Sequence, residues 1–357
     1  MLKKLLPENV KIVEKFKIFI AVSLAIVLIG LGFIIFGGMN VGVDFRGGAK
    51  IEIEFIGSFA KDGEAAELIK DKLTEIIETD NDYKISGKIQ DSPSGEGSTY
   101  EITLRYYHEH ELTQDEEKDF ITYIQGSEDG TSLSDDIVEK LNTYFGENEY
   151  LKSLDASVEA ENVKAYTVGK TASDGLVRSA VIALAVAIVV MLAYIVIRFT
   201  FASALAAVCA LIHDVLIMIA FTAIFSVPVN STFIAAVITI VGYSINATII
   251  IFDRVREERK SISNKEMSDE FVANKSIAAT LGRTILTTLT TLVMVVALAI
   301  FSVSAIQEFI IPIIFGLIAG TYSSVFLASG FWVMFRKLGK KIADKKAKKG
   351  SYKGAKA

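Results

Sequence analysis

Titratable side chains inside apolar stretches are the most informative residues of this sequence. His213 and Asp214 lie near the middle of the apolar run at 201–225. An ionised carboxylate at the centre of a bilayer costs roughly 2.5–3.5 kcal/mol, so Asp214 must be protonated, paired or turned toward a water-filled cavity. Two interpretations fit: a neutral aspartate that hydrogen-bonds a neighbouring helix, or a titrating group in an ion pathway.

A second polar set interrupts the apolar run "IVGYSINATIIIFDRVRE" at 240–257. Helical spacings of four, three and seven residues put four side chains on one stripe: Thr239, Tyr243, Asn246 and Asp253. Hydrogen-bonding groups beside small residues pair helices closely, at ~0.6–2 kcal/mol per bond. The stripe therefore predicts helix–helix contact, and its members also remain candidates for an ion path. The charged residues that end this run are Asp253, Arg254, Arg256 and Glu257.

A third polar set begins at Arg283, in "RTILTTLTTLV". The hydroxyl residues that follow it are Thr284, Thr287, Thr288, Thr290 and Thr291. Their side chains can line a polar crevice, in which Thr287 is a candidate, or bond back to the carbonyl groups of their own helix. Arg283 is either a flanking charge outside the membrane or a counter-charge within it.

The sequence offers little for an enzyme. His108 and His110 in "YHEHE" could share one face of a strand, but two imidazoles among acids favour a solvated surface over a metal site. The sequence has no recognisable nucleophile–base pair, phosphate-binding glycine loop or metal-spaced cluster. We therefore expect no catalytic activity, no cofactor and no metal.

The polar sets lie on apolar runs that are long enough to cross a membrane. Crossing the hydrocarbon core takes roughly 20 residues. The sequence predicts spans at 18–37, 179–198, 201–225, 231–252, 284–302 and 310–334, with the last five forming one membrane region over 179–334. The first span has no small-residue cleavage site after it, and we interpret it as an uncleaved anchor. The chain is thus predicted to be a polytopic α-helical membrane protein with six transmembrane helices.

Charge predicts the orientation of these spans. Residues 38–178 contain 14 Lys and Arg against 31 Asp and Glu, whereas the whole chain carries only −5. Basic residues concentrate in the N-terminus at 1–17, the loop at 253–283 and the tail at 335–357. Because short basic segments stay in the cytoplasm, we expect both termini inside a bacterial cytoplasmic membrane and 38–178 outside it.

The exported segment reads as an α+β domain between the first two spans. Alternating apolar residues predict strands in "AKIEIEFIG", "DYKISGKIQ" and "STYEITLRYY", with a polar turn at "DSPSGEG" before the third. Helical patterns occupy "EAAELIKDKLTEIIET", "QDEEKDFITYIQ" and "SDDIVEKLNTYF", and a last strand is predicted near "LKSLDASVEA". The order β-α-β-β-α-β predicts a ferredoxin-like domain.

The motif "DFRGG" joins the first span to this domain, through Asp44, Phe45, Arg46, Gly47 and Gly48. Two glycines after a span favour a turn into the first strand. The motif is therefore interpreted as a rigid coupling between membrane and domain, with direct contact to a substrate as the alternative.

Four motifs in order carry a resemblance to a known family. "DFRGG", "LIHDV", "GYSIN-T---FDRVRE" and "NKS---TLGRT--TT-TTL" resemble the SecF side of the SecD/SecF family, membrane subunits of bacterial protein export within the resistance-nodulation-division superfamily. The resemblance implies a translocase auxiliary that works with a SecD-like subunit on the SecYEG channel, indirectly with SecA, on unfolded preproteins. The family uses an ion gradient, with protons as the expected ion.

One position departs from the family pattern. The family commonly has Asn-Asp-Thr where this chain has Asn246, Ala247 and Thr248. That aspartate is usually credited with proton transfer beside the arginine that matches Arg283, and alanine binds no proton. Either Asp214, with His213 nearby, carries the protons, or the SecD-like partner supplies the acid, or the chain is not proton-driven. We expect the partner to supply at least part of the path, with Asp214 contributing.

Two other functions remain open. Small-molecule exporters of the same superfamily usually have two six-span repeats, so this chain could be half of one; a passive assembly scaffold is the other alternative. The basic tail is expected to contact anionic lipid rather than nucleic acid.

Overall fold

Six helices that are long and apolar enough to cross a membrane dominate the computed structural model. It describes residues 11–354 except 57–58, 60–61, 80–82, 86–88, 95–96, 107–112, 126–131, 262–266 and 302–303. The first five long helices are α1 Phe16–Gly37, α7 Lys170–Arg198, α8 Phe201–Ile224, α9 Ser231–Lys260 and α10 Asp269–Phe301. The sixth span joins α11 Ser304–Tyr322, a π-helical segment Ser323–Ala328 and α12 Ser329–Gly354.

The long helices extend beyond the predicted spans. Helix α9 continues to Lys260, and α10 begins at Asp269, so most of the loop predicted at 253–283 is helical extension. Helix α7 likewise begins at Lys170, before the predicted start of the second span at 179. Apolar length sets the membrane segment, but helix geometry continues through polar residues until a cap or a turn ends it.

A five-stranded sheet forms the core of the domain between α1 and α7. The strands are β1 Gly48–Ile56, β2 Tyr83–Ile85, β3 Gln90–Ser94, β4 Gly97–Tyr106 and β5 Val163–Val168. Their order is β2-β4-β1-β5, β3 also pairs with β4, and every pairing is antiparallel. The helices that accompany it are α3 Gly63–Thr79, α4 Gln114–Gln125, α5 Leu133–Glu147 and α6 Glu149–Ser153.

The apolar alternation in β1 explains which side of the sheet is covered. Ala49, Ile51, Ile53 and Phe55 are all buried, whereas the residues between them are partly exposed. The buried side packs against Leu73 of α3 and other apolar helix residues. The period of two that predicted a strand here also predicted its buried face.

The prediction of the last strand near 151–160 was wrong. Residues Glu149–Ser153 form α6, because the Asn148 side chain accepts hydrogen bonds from the backbone N–H groups of Tyr150 and Leu151. The strand that completes the sheet is β5, ten residues later, and its Ala165 pairs with Ile51. An asparagine cap and a buried Leu151 thus override a weak alternating pattern.

The turn predicted at 91–97 is shorter than expected. Strand β3 runs through Pro93 to Ser94, which pairs with Gly97 at the start of β4. Proline lacks a backbone N–H, so it fits a strand whose described pairing is on one side only. His108 and His110 lie outside the described residues.

Glycines allow the closest helix contacts in the membrane bundle. A Cβ atom placed on Gly316 of α11 would lie 2.4 Å from Ile240 of α9, and one on Gly320 would lie 3.0 Å from Ser244. Gly30 of α1 has an equally close neighbour in Ala220 of α8. Gly316 and Gly320, four residues apart on α11, therefore bring α9 and α11 together.

The N-terminus of α3 provides a test of stability in the domain. The Asp62 carboxylate accepts hydrogen bonds from the backbone of Ala65 and Glu64 and from the Tyr150 hydroxyl. These bonds, that of Ala65 foremost, lower the pKa of Asp62 below its usual 3.8. The ionised carboxylate therefore stabilises the fold above about pH 3.8, and this contribution disappears as the pH falls through the lowered pKa.

We expect Asp62→Ala to reduce amide hydrogen-exchange protection of 63–79 at pH 7. As the pH falls below 3.8, protonation of the carboxylate competes increasingly with these hydrogen bonds, so the difference from the unmodified protein should shrink. Asp71→Ala, at an exposed carboxylate of the same helix, is the matched control. Equal protection in all three proteins at pH 7 would contradict the prediction.

Candidate functional site

Asp214 lies at the centre of a buried hydrogen-bonding network in the membrane bundle. Its side chain is only 1% exposed. One carboxylate oxygen, Oδ2, accepts hydrogen bonds from Ser244 of α9 and, at 2.9 Å, from Ser323 of the π-helical segment. The other, Oδ1, lies 2.9 Å from Nδ1 of His213. Both oxygens of a costly buried carboxyl group are therefore satisfied within the bundle.

His213 carries the network to the first helix. Its Nε2 lies 2.9 Å from the Ser23 hydroxyl of α1, and Ser23 also contacts the carbonyl oxygen of Phe19 at 3.1 Å. The Tyr322 ring stacks on the imidazole with a centroid distance of 5.9 Å, and its hydroxyl donates to the same Phe19 carbonyl. The imidazole is thus held between a carboxyl and a hydroxyl group.

The π-helical segment brings two consecutive hydroxyl groups to this network. Ser323 donates to Asp214, and Ser324 lies 2.9 Å from the Thr248 hydroxyl of α9. Wider π turns are rare and frequently occur at functional sites. Sequence reasoning did not identify Ser23, Tyr322, Ser323 or Ser324, although the pair "SS" inside an apolar span is the same kind of signal that identified Asn246.

A separate polar contact joins α9, α10 and α11. The Tyr243 hydroxyl lies 3.4 Å from the hydroxyl groups of Thr288 and Thr291, and Thr321 donates to Thr288 at 2.9 Å. Most other hydroxyl groups of the ladder, such as that of Thr287, bond to carbonyl oxygens of their own helix. Tyr243 and Thr288 therefore form a helix contact, and this contact is distinct from the Asp214 network.

Three predicted site residues lie on the outer surface of the bundle. Asn246 of α9 and Arg283 and Thr287 of α10 are exposed, whereas Ala247 is buried at 8% exposure. Arg283 forms no ion pair within the part of the chain that the structure describes. The structure thus places His213 and Asp214 in the interior and Tyr243 in a helix contact. The other three candidates form an outward polar group.

The DFRGG motif is attached to the loop between α8 and α9. Asp44 accepts a hydrogen bond from the backbone N–H of Ser231, the first residue of α9, at 2.9 Å. A negative side chain is favourable at that helix end. Phe45 packs against the membrane core, and Arg46 ends the short helix α2 Val43–Arg46. Gly47 and Gly48 both have positive φ angles, of 75° and 126°, which glycine adopts without strain as the chain turns into β1.

Further contacts tie the same loop to the domain. The backbone N–H of Gly42 donates to the Val229 carbonyl, and that of Val229 donates to the Asn40 carbonyl. Glu308 at the beginning of α11 accepts a hydrogen bond from Asn230 and pairs with Lys50 of β1 at 3.4 Å. The sheet is therefore connected to three membrane helices through one compact junction.

The charged residues that end α9 pair with neighbouring helices. Arg198 of α7 lies 3.9 Å from Asp253, and its backbone carbonyl accepts from Arg256. Arg254 pairs within α9 with Glu257, and also with Glu258, which in turn contacts Lys275 of α10. These side chains fix the ends of α7, α9 and α10 relative to one another.

Comparison with known proteins identifies the family. The model described as "Protein export membrane protein SecD/SecF, C-terminal" matches residues 147–338. A protein translocase subunit SecF of Petrotoga mobilis is 33% identical over 325 residues, which cover 90% of this chain and 94% of the relative. The SecDF of Bacillus subtilis is 31% identical over 90% of this chain but only 38% of its own length.

A solved structure agrees with the fold. The crystal structure of SecDF from Thermus thermophilus superposes with a TM-score of 0.66 and 24% identity. The match covers 92% of this chain and 39% of that one, so the present chain corresponds to part of the larger protein. Six apolar helices, the family match and the SecF relatives lead to one conclusion: the chain is a multi-pass inner-membrane protein that belongs to the SecD/SecF family.

Proposed function

We propose that the chain is a SecF-type subunit of the protein translocase that uses an ion gradient, together with a SecD-like partner, to promote preprotein export. The proposal rests on the Asp214 network, in which hydrogen bonds connect a buried carboxyl group across four helical segments. The SecYEG channel is the docking partner, SecA acts upstream, and unfolded preprotein is the substrate.

The paired groups His213 and Asp214 can pass a proton within the bundle. With Asp214 ionised, Nδ1–H of His213 donates to Oδ1 and Ser23 donates to Nε2. A proton that enters at Nε2 allows the Nδ1 proton to move to Asp214. The neutral ring then donates from Nε2 to Ser23, whose hydroxyl donates to the Phe19 carbonyl. The observed contacts satisfy both states, which differ by one proton.

The outward polar group supports a partner within the membrane. Arg283 lies between the apolar residues Leu281 and Ile285 of α10 and is exposed on this chain. Arg283 directly precedes the predicted span at 284–302, where a cation that faces lipid must extend toward the headgroups to avoid the cost of the hydrocarbon. A SecD-like subunit that covers Arg283 and Asn246 removes this cost and supplies the acid that Ala247 lacks.

The orientation follows from charge. The acidic domain is extracytoplasmic. Its strand order β2-β4-β1-β5, with helices packed on one face of the sheet, supports a ferredoxin-like arrangement. The junction of Asp44, Asn230, Glu308 and Lys50 transmits helix movement to this domain, which holds the emerging chain. Both termini are cytoplasmic, and the basic tail contacts anionic lipid.

The proposed proton path gives a prediction for Asp214. We expect Asp214→Asn to abolish the gradient-stimulated part of preprotein export, because an amide cannot accept the proton from His213. The measurement is export of a reporter preprotein from membrane vesicles with and without a proton gradient. Asp344→Asn, at an exposed carboxylate near the C-terminus, is the matched control and should export normally.

Membrane insertion and partner association are measured in parallel. Unchanged gradient stimulation in a correctly inserted Asp214→Asn protein would favour the passive scaffold and assign Asp214 a purely structural role. Failure to associate with any SecD-like subunit, combined with small-molecule efflux, would favour the exporter.

The second prediction concerns the partner surface. A photo-reactive amino acid at Asn246 or Thr287 should cross-link to the SecD-like subunit in the membrane, since these side chains are exposed within spans that carry polar groups. The control position is Leu28 of α1, which is 56% exposed on a helix that packs against α8. Cross-linking that is equally strong from Leu28, or absent from both polar positions, would contradict the assignment.

A further inference from the structure

Three cationic side chains converge on one buried carboxylate at the basic end of the bundle. Asp269, the first residue of α10, is 4% exposed and contacts Arg259 of α9. It also lies 3.1 Å from Nε of Arg336 and 2.9 Å from Nζ of Lys340, both on α12. One acidic group thus holds together the ends of three helices.

This cluster contains more positive than negative charge. Three cations face one carboxylate, which leaves two positive charges without a counter-charge among the described residues. The neighbouring acids are already engaged: Glu270 pairs with Lys337, and Glu258 pairs with Arg254 and Lys275. An anion from outside the chain would therefore be favourable here.

The N–H groups of Arg259 and Arg336 are also only partly engaged in hydrogen bonds within the chain. The Nε atom of Arg259 is buried and donates no hydrogen bond to an acceptor in the described part of the chain, whereas the buried Nε of Arg336 faces Asp269 at 3.1 Å. Their side chains nonetheless retain 21% and 30% exposure, so a ligand can reach the guanidinium groups from one side. Guanidinium groups with free donors match the oxygen atoms of a phosphate.

Trp332 contacts both guanidinium groups. Its ring lies 5.3 Å from the Arg336 guanidinium carbon and 6.0 Å from that of Arg259. The indole is 2% exposed. Cation–π contacts with this ring hold both arginines in place, so the donors are arranged before any ligand binds.

Arg336 lies at the depth of lipid headgroups. It follows the apolar residue Met334 by two positions, about 3 Å along the helix. The headgroup layer extends roughly 5–8 Å beyond the hydrocarbon on each side. A phospholipid phosphate in the same leaflet is therefore within reach of Arg336, and Arg259 and Lys340 meet Arg336 around Asp269.

We infer that Arg259, Arg336 and Lys340, arranged around Trp332 and Asp269, form a binding site for the phosphate of an anionic phospholipid. This site goes beyond the proposed function, because it is built from residues that belong neither to the Asp214 network nor to the partner surface. Arg336 and Lys340 belong to the basic tail, but the site differs from a general attraction of that tail, since it depends on the arrangement of Arg259 and Arg336 around Asp269 and Trp332. A bound lipid here joins α9, α10 and α12.

Trp332 allows a direct test because it is the only tryptophan in the chain. The full chain in neutral detergent is titrated with phosphatidylglycerol while its tryptophan emission is recorded. Phosphatidylcholine and inorganic phosphate are titrated separately. We expect a saturable change with phosphatidylglycerol only. A response to inorganic phosphate without preference for phosphatidylglycerol, or equal responses to both lipids, would overturn the lipid assignment.

Charge variants locate the site. Removing two cations with Arg259→Gln and Arg336→Gln should weaken the apparent affinity about 30-fold, at roughly fivefold per basic residue. The matched control is Lys341→Gln with Lys345→Gln, which removes the same charge from exposed positions of α12 and should retain most of the affinity. Equal weakening in both double variants would indicate diffuse attraction and overturn the site.

A gain of binding guards against misfolding. Asp269→Asn raises the excess positive charge by one and should tighten phosphatidylglycerol binding about fivefold. Normal helical circular dichroism of the variant excludes a loss of structure as the cause of tighter binding. Unchanged or weaker affinity in an Asp269→Asn protein with normal helical circular dichroism would contradict the proposal.

Discussion

The structure depends on one constraint: a carboxyl group inside a bilayer must find its hydrogen-bond partners within the protein. Asp214 meets this constraint through Ser244, Ser323 and His213, which come from two neighbouring segments and its own helix. His213 extends the network to α1 through Ser23. Because each partner lies on a different part of the bundle, satisfying Asp214 also fixes how α1, α8, α9 and the last span pack.

The close packing around Asp214 depends on small residues as well as on hydrogen bonds. Gly320 lets α11 approach Ser244, and Gly316 accommodates Ile240 one turn away. The π turn after Tyr322 then directs Ser323 and Ser324 into the same region. Asp214 therefore lies against a tightly packed element, where small shifts are not absorbed by free space.

The α+β domain is joined to this bundle at a junction rather than by a free linker. Asp44 binds the beginning of α9, and Glu308 at the beginning of α11 contacts both Asn230 and Lys50. Helices α9 and α11 both border the Asp214 network. Both helices are thus connected to β1 through this junction, while the end of α9 and the beginning of α10 are held, together with α12, by the charges around Asp269.

The sequence by itself determined the six apolar helices, most strands of the α+β domain, and the requirement that Asp214 find a polar partner. These features depend on local period, length and the cost of burying charge, all of which can be read along the chain. It did not determine which polar residues meet. Thr239, Tyr243 and Asn246 share a stripe in sequence, yet Tyr243 contacts α10 whereas Asn246 is exposed, and Ser23 joins His213 across 190 positions. Only helix packing decided these contacts, because spacing defines a helix face and does not define the neighbour that the face meets.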